Sequence, residues 1–485
     1  MSRPTRRSFL EHTLAVAAAG IASRSRAVER VEKDESKPAT RPAPSERVGL
    51  AIIGLHGRGI DHLDAYTFDD RVEIVALCDV DAATFGKAQR KLTERGRPAA
   101  RRYADIRKLL EDKSVQAVSI AAPNHWHALA GIWAMQAGKD LYVEKPVSHV
   151  LNEGRRLEEA RAKYGRICQA GTQSRSNGAC RQAIQYVHDG SIGKVSLARG
   201  LCYKRRKSIG HFEDAPVPPG VDYDLWLGPA PKRPFNPNRF HYNWHWNWDY
   251  GNGDIGNQGV HQIDVARWAL QKELPPSVIS LGGRFGYADD GQTPNTQVAL
   301  FDYGDSQILF EVRGLETPPV MDLSVGTIVY GTEGFVAIAN EDIDQAVAYD
   351  VRGNLVKRFK GSGNHFNNFI SAVLSGRQSD LHCPILDGHL SSALCHLANV
   401  SYRLGEPHAF VGRNVALGDA MDLREAFGRF EQHLADNALK LREMSYQEGP
   451  RLSFDPHAEN FGANGRANEM LAREYREPFV VPDRI

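Results

Sequence analysis

The 485-residue chain is poor in cysteine: six residues, at 78, 168, 180, 202, 383 and 395, with no C-x-x-C pair among them. That scatter argues against zinc ribbons, iron-sulfur clusters and a disulfide scaffold. Net charge is equally scarce. Sixty basic residues against 59 acidic ones leave a formal charge of +1, so no global field recruits nucleic acid or an anionic membrane, and a small neutral or weakly charged ligand suits the chain better. The alanine-rich run from Thr13 to Ala22 is too short to span a bilayer. With 42% hydrophobic and 25% charged residues the composition is that of a soluble globular protein, and the length predicts two domains plus appendages.

The N-terminus carries a twin arginine, Arg6-Arg7, then Phe9-Leu10 and the weakly apolar run. This order is the pattern of a twin-arginine export signal, expected over residues 1–27 with cleavage after Ala27 and delivery to the periplasm or cell envelope. Residues 28–46 are rich in Arg, Glu, Pro and Ser without periodicity and read as a linker.

Folded structure is expected from residue 47. VGLAII (48–53) is a buried-strand run, GLHGRG (54–59) a glycine turn, and a helical pattern follows through Leu63 and Phe68. A parallel strand feeding a glycine turn and a helix N-terminus is the geometry that receives a pyrophosphate. The next strand ends in Asp79, 25 residues after Gly54, where a carboxylate meets a ribose diol. His56 stands where G-x-G-x-x-G has its middle glycine, with Gly57 displaced by one, so Gly54, His56, Gly57, Arg58 and Gly59 form the candidate turn. Alternation continues through VQAVSIAAP, DLYVEKP and RICQAGTQ, giving six strands of a doubly wound parallel sheet over residues 47–175. Such sheets bind ligands at the carboxyl ends of their strands. There the sequence places Pro123, Asn124 and His127, then Glu144 and Lys145, then Gln173.

After Gly193 come runs such as KVSLARGLCY, TQVALFDY, SQILFEVRG and GTIVYGT, joined by Gly- or Asp-containing turns. They predict an α+β domain over residues 176–410 with a large, mostly antiparallel sheet. Residues 411–485 read as a C-terminal helix (423–441) and a tail wrapping the surface.

The motifs AIIGLHGRG, CDVD, AAPNHWHA, EKPVSH, GTQSRS, LWLGPAP, GDIGNQGVHQIDVARW and HFNNFISAV together resemble the Gfo/Idh/MocA group of oxidoreductases, and the resemblance runs from about residue 48 to about 405. It implies a Rossmann domain that binds NAD or NADP, a second domain whose open sheet face forms the substrate pocket and an oligomer contact, and a carbohydrate substrate. Trp226 of LWLGPAP joins the expected cofactor residues. The resemblance also implies a catalytic aspartate four residues before a histidine, beside the lysine of EKP. Here Lys145 and His261 match while Asn257 replaces the aspartate, and an asparagine cannot hold a proton in balance with histidine.

The stretch HYNWHWNWDYGNGDIGNQGVHQIDVARW (241–268) holds four of the seven tryptophans, three histidines and three aspartates. On a helix from 257 to 270, Asn257, His261 and Asp264 share a face. No H-x-x-x-H spacing and no cysteine joins His241, His245, His261 and Asp249, so no metal is expected. The aromatic part reads as a loop over the pocket, with rings for sugar faces and Asn, Asp and His for hydroxyls. The expected substrate residues are Tyr203, Lys204, Trp244, His245, Trp246 and Asp264. Three readings stay open: a sugar, glycoside or cyclitol dehydrogenase with a tightly held nicotinamide; a redox-neutral glycoside hydrolase that oxidises, eliminates, hydrates and reduces; and a non-catalytic sugar-binding protein.

Overall fold

A computed structural model describes residues 47–339, 346–410 and 421–485. The expected signal and linker lie outside the described residues. The first unit is a six-stranded parallel sheet of β1 (Val48–Ile53), β2 (Val72–Cys78), β3 (Arg101–Tyr103), β4 (Ala117–Ile120), β5 (Asp140–Val143) and β6 (Cys168–Ala170), ordered β3-β2-β1-β4-β5-β6. Every residue of β1 is buried, as a central parallel strand covered on both faces requires. Helices α1 (Arg58–Thr67) and α2 (Thr84–Glu94) follow β1 and β2, while α3 (Asn124–Gln136) and α4 (Leu151–Tyr164) follow β4 and β5. The order reverses between β1 and β4, and a doubly wound sheet opens its crevice at that point.

The second unit is an eleven-stranded sheet. Its path runs β14 (Leu355–Phe359), β13 (Ala346–Asp350), β12 (Gly334–Ala339), β11 (Val325–Gly331), β7 (Val195–Tyr203), β10 (Gln307–Arg313), β9 (Thr296–Asp302), β8 (Ser277–Gly283), β16 (Ser445–Glu448) and β15 (Glu406–Ala409), with β17 (Leu452–Ser453) also on β8. All pairings are antiparallel except β7 with β10. Its inner face packs on α5 (Gly178–His188), α6 (Val260–Leu270) and α7 (Ile385–Arg403). Helix α7 also packs on α4, so one helix serves both domains.

Three expectations change. The tail is not a surface wrap: Phe454, Phe461 and Leu471 enter the core of the second domain, while Phe479 and Val481 enter that of the first. This explains why α3 is buried nearly all round, since Phe479 packs on the Trp126 face that would otherwise meet water. The open sheet face is partly closed, because α8 (Met421–Asp436) covers β8 to β10 with Leu423, Phe430 and Leu434. Asp264, expected among substrate residues, is fully buried and receives both arms of Arg175 at 2.9 Å, with Ser391 donating at 2.7 Å. A helix that begins its regular turns at Val260, after a π-helical turn over Ile255–Gly259, leaves Asp264 to tie the two domains together instead.

Removing one partner of a buried ion pair strands the other charge. Asp264→Ala should therefore cost about 3–5 kcal/mol of stability, measured by urea unfolding. A variant of unchanged stability but lost activity would return Asp264 to the substrate site.

Candidate active site

The site is a cavity of about 320 Å³ at the switch point, walled by the first domain and roofed by residues 225–245. Its floor starts at the glycine turn. Gly54 has φ +86°, and a Cβ there would sit 2.7 Å from the Ala121 carbonyl oxygen; a Cβ on Gly59 would sit 1.7 Å from the Gly54 oxygen. These two glycines are demanded by the protein itself. Gly57, which caps α1, would meet nothing within 4 Å, so its lack of a side chain leaves only cavity space open. Displacing the middle glycine from 56 to 57 thus keeps a bare backbone at the helix start. His56 turns outward and stacks on His241 at 3.9 Å, and His241 pairs with Asp81 at 3.1 Å.

At one end Asp79 accepts from the Leu55 and Asp81 amides at 2.6 and 2.9 Å, and burial pushes its carboxyl up to about 6. Ala104, Asp105 and Ile106 line the same cavity. At the other end Glu144, buried after β5, accepts from Arg58 at 2.9 Å, Gln173 at 3.0 Å and His62 at 3.1 Å. Burial opposes this charge, but Arg58 and then His62 hold the carboxyl well below its usual range. Arg58 is therefore committed to Glu144 rather than standing free beside the Asp79 ribose position. Gln173 supports Glu144 from behind and is not part of the cavity wall.

Lys145 lines the cavity and donates to the main-chain oxygen of Asn257 at 2.7 Å. Burial lowers its pKa, Glu144 opposes that, and Arg58, Arg206 and Lys204 add to the lowering. The π-turn thus gives Asn257 a role through its carbonyl, while its amide lines the cavity. His261 and His245 are both depressed to about 3, chiefly by burial and, among charges, by Lys145 for each. His245 lines the cavity, with Nδ1 2.5 Å from the Tyr242 oxygen; His261 is set back from the wall. His127 bridges the Pro146 and Ala122 oxygens at 2.6 and 2.7 Å, locking the turn after β4 to that after β5.

The roof is held by its main chain. His125 and Trp126 both donate to the Trp226 oxygen, at 2.9 and 3.1 Å, and Asn124 donates to Asn252 at 2.9 Å. Pro123, Asn124, Trp226, Trp244 and His245 all line the cavity. From the C-terminal segment Arg476 grips Asp224 and the Gly228 oxygen, and Arg473 reaches the Asp249 oxygen at 3.3 Å. Composition alone gave no sign of this clamp, nor of His62 or Tyr242.

Two expected substrate residues lie elsewhere. Tyr203 has the parity of the outer sheet face, where its hydroxyl donates to Glu311 and accepts from Arg199, both at 3.1 Å. Trp246 lies outside this cavity, mostly buried under the Arg206 guanidinium at 5.3 Å, with its remaining surface lining the neighbouring open depression. Lys204 is close enough to Lys145 for its charge to lower that pKa further. Among the described residues no group of three or more His, Cys, Asp or Glu is placed to hold a metal.

Residues 48–172 match the model of the oxidoreductase family's NAD-binding Rossmann fold, GFO_IDH_MocA, and residues 193–284 match that of its C-terminal alpha/beta domain. These two stretches are thus similar to the two domains of the Gfo/Idh/MocA oxidoreductases. It is similar to a glycosyl hydrolase family 109 protein of Saccharopolyspora erythraea, 32% identical over 176 residues, which is 35% of this chain and 38% of that protein. It is also similar to the inositol 2-dehydrogenase of Salmonella paratyphi B, 34% identical over 155 residues, 31% of this chain and 45% of that one. The chain thus spans less than half the length of these two curated relatives. In fold it is like the WlbA dehydrogenase of Bordetella pertussis, solved with NADH and UDP-GlcNAcA, with a TM-score of 0.52 and 18% identity over 72% of this chain and 94% of that one. The cavity lies where residues of the first sheet's strand ends meet residues 225–257.

The glycine geometry separates folding from binding. Gly57→Ala should leave stability within about 0.5 kcal/mol while weakening added NAD, and Gly59→Ala should fail to fold; equal NAD affinity in Gly57→Ala would move the pyrophosphate elsewhere.

Buried histidines set the acid limit. Burial depresses His125 and His396 to about 3, whereas the unfolded chain binds these protons near pH 6.5. Between those values the unfolded state holds the extra protons, so acidification destabilises the fold by about 1.4 kcal/mol per pH unit for each residue. Urea midpoints should fall from pH 6.5 to pH 4.5, and less steeply in His125→Asn; a flat profile would mean that both are charged in the fold.

Proposed function

We propose that the protein is an NAD(P)-dependent oxidoreductase acting on the carbinol of a sugar, glycoside or cyclitol. The observation that supports this most is the single cavity running from the Gly54–Gly59 turn and Asp79 to Lys145, Asn257 and His245. Its features fit a dinucleotide: an open helix start at Gly57, a carboxylate at Asp79, and apolar walls from Ile106, Leu225 and Trp226. When bound, the nicotinamide supplies the hydride acceptor. Asp79 would take the ribose hydroxyls and favours NAD, since Arg58 is engaged by Glu144. Lys145, positioned by the Asn257 carbonyl and flanked by Glu144, stabilises the alkoxide as the hydroxyl proton leaves. His261, neutral at pH 7, partly exposed and near enough to Lys145 to feel its charge, is the acceptor we assign to that proton although it does not wall the cavity; the roof excludes water.

The sequence of the first 27 residues supports export by the twin-arginine route, which carries folded proteins with their cofactor. A clamped roof suits a cofactor that stays in place, and this favours a second reading as a redox-neutral glycoside hydrolase, in keeping with the relatives of family 109. Any homo-oligomer would use the part of the outer sheet face not covered by α8.

The deciding experiment starts from protein purified by gel filtration. Heat release should yield NAD or NADP at near one per chain; protein that neither carries nor binds it would support a sugar-binding role. Lys145→Ala and His261→Ala should keep the cofactor and lose turnover by about a hundredfold to ten-thousandfold. Incubation with glycosides and free sugars in deuterated water, without added cofactor, separates the enzymatic readings. A keto-sugar with stoichiometric reduction of bound cofactor marks the dehydrogenase. Released aglycone with deuterium beside the oxidised carbon marks the hydrolase.

A further inference from the structure

Beside the cofactor cavity lies a second, open depression of about 330 Å³ that the chemistry above leaves unused. Tyr242 belongs to both, so the trough begins where the reaction cavity ends. The backbone turns sharply there: His241 adopts φ 59°, a left-handed conformation that is uncommon for a non-glycine residue and frequent at ligand sites. On one side of that kink His241 stays with His56 and Asp81; on the other Tyr242 is half exposed.

The trough collects exposed aromatic surface. Three aromatic rings among the described residues are strongly exposed: Phe68 at 68%, Phe212 at 54% and Tyr242 at 50%. Phe68 is covered by the Arg95 guanidinium at 4.1 Å. The other two both line the trough. Between them stand Ser208 and Asn243, neutral groups that keep hydrogen-bonding capacity after Ser208 donates to Asp289 and Asn243 to Asn238; Asn238 itself is buried, with its amide taken up by Gly210, Asp290 and Asn243. Of the basic run at 204–207, Arg206 and Lys207 line the trough; Arg206 is paired with Asp254 at 2.7 Å, so Lys207 is the single basic side chain on this wall outside an ion pair among the described residues.

We propose that this trough is a glycosyl subsite that holds the sugar unit next to the reacting ring, so that the substrate is a disaccharide or longer glycoside rather than a free monosaccharide. Aromatic faces that meet C–H surfaces, with amides and hydroxyls for the ring hydroxyls, match a neutral saccharide. A paired arginine matches a phosphate or sulfate poorly. The volume falls within the roughly 300–1,000 Å³ usual for small-molecule sites. The assignment rests on the oxidoreductase reading only for where the reacting ring sits.

Binding therefore tests it without turnover. The full folded protein, with whatever cofactor it carries, is titrated by calorimetry with gluco- and galacto-configured disaccharides and with the corresponding methyl monosaccharides. The expected result is at least about tenfold tighter binding of one disaccharide, which corresponds to about 1.4 kcal/mol. Phe212→Ala, which lies outside the reaction cavity, should remove that advantage and leave the methyl monosaccharide unchanged. Tyr242→Ala should also lose it, and Phe68→Ala should not. A panel in which no disaccharide outbinds its monosaccharide, or a Phe212→Ala variant that keeps the full preference, overturns the proposal. So does a mass shift in sedimentation caused by Phe212→Ala, which would make the trough a subunit contact. Failure of the oxidoreductase reading shows instead as absent cofactor and absent turnover, with the binding preference intact.

Discussion

A single buried carboxylate organises this site. Glu144 gathers Arg58 and His62 from successive turns of α1 and Gln173 from beyond β6, two segments far apart in the chain. An ionised carboxylate out of water is stable only when nearly all its lone pairs are taken, so these segments must converge for the charge to persist. The charge in turn sits beside Lys145 and counters the burial that would deprotonate it. The glycine turn, the cavity lysine and the support behind them are thus one electrostatic unit.

The second constraint is closure. A Rossmann crevice is open by construction, and here residues 225–245 cover it. That roof is not a free loop: α3 holds it through the Trp226 carbonyl, and the last stretch of chain grips both its flanks through Arg473 and Arg476. The same stretch buries Phe479 against Trp126. Removing the tail would expose α3 and loosen the roof together, so packing and cofactor enclosure are coupled.

The aromatic stretch shows how composition misleads about role. Trp244 and Trp246 are among the largest rings available for a sugar, yet both are buried, stacked on His245 or capped by Arg206. They fix the shape of the roof. The ring left open is the neighbouring Tyr242, exposed by a backbone turn at His241 that no residue preference announces.

The sequence by itself determined the parallel sheet, the glycine turn, the positions of Asp79, Glu144 and Lys145 at strand ends, and the antiparallel second sheet. Each of these follows from local periodicity and turn chemistry, which short stretches of chain carry in full. Only the tertiary structure decided that Asp264 ties the domains, that Tyr203 faces away from the cavity, that Asn257 works through its carbonyl, and that the tail is a clamp. Those outcomes depend on which of several polar partners a side chain meets across hundreds of residues, and on a π-turn that alters the helix phase between Asn257 and Asp264. Long-range pairing of buried charge has no signature in local sequence, because it is the cost of leaving a partner unmatched in the assembled core that selects it.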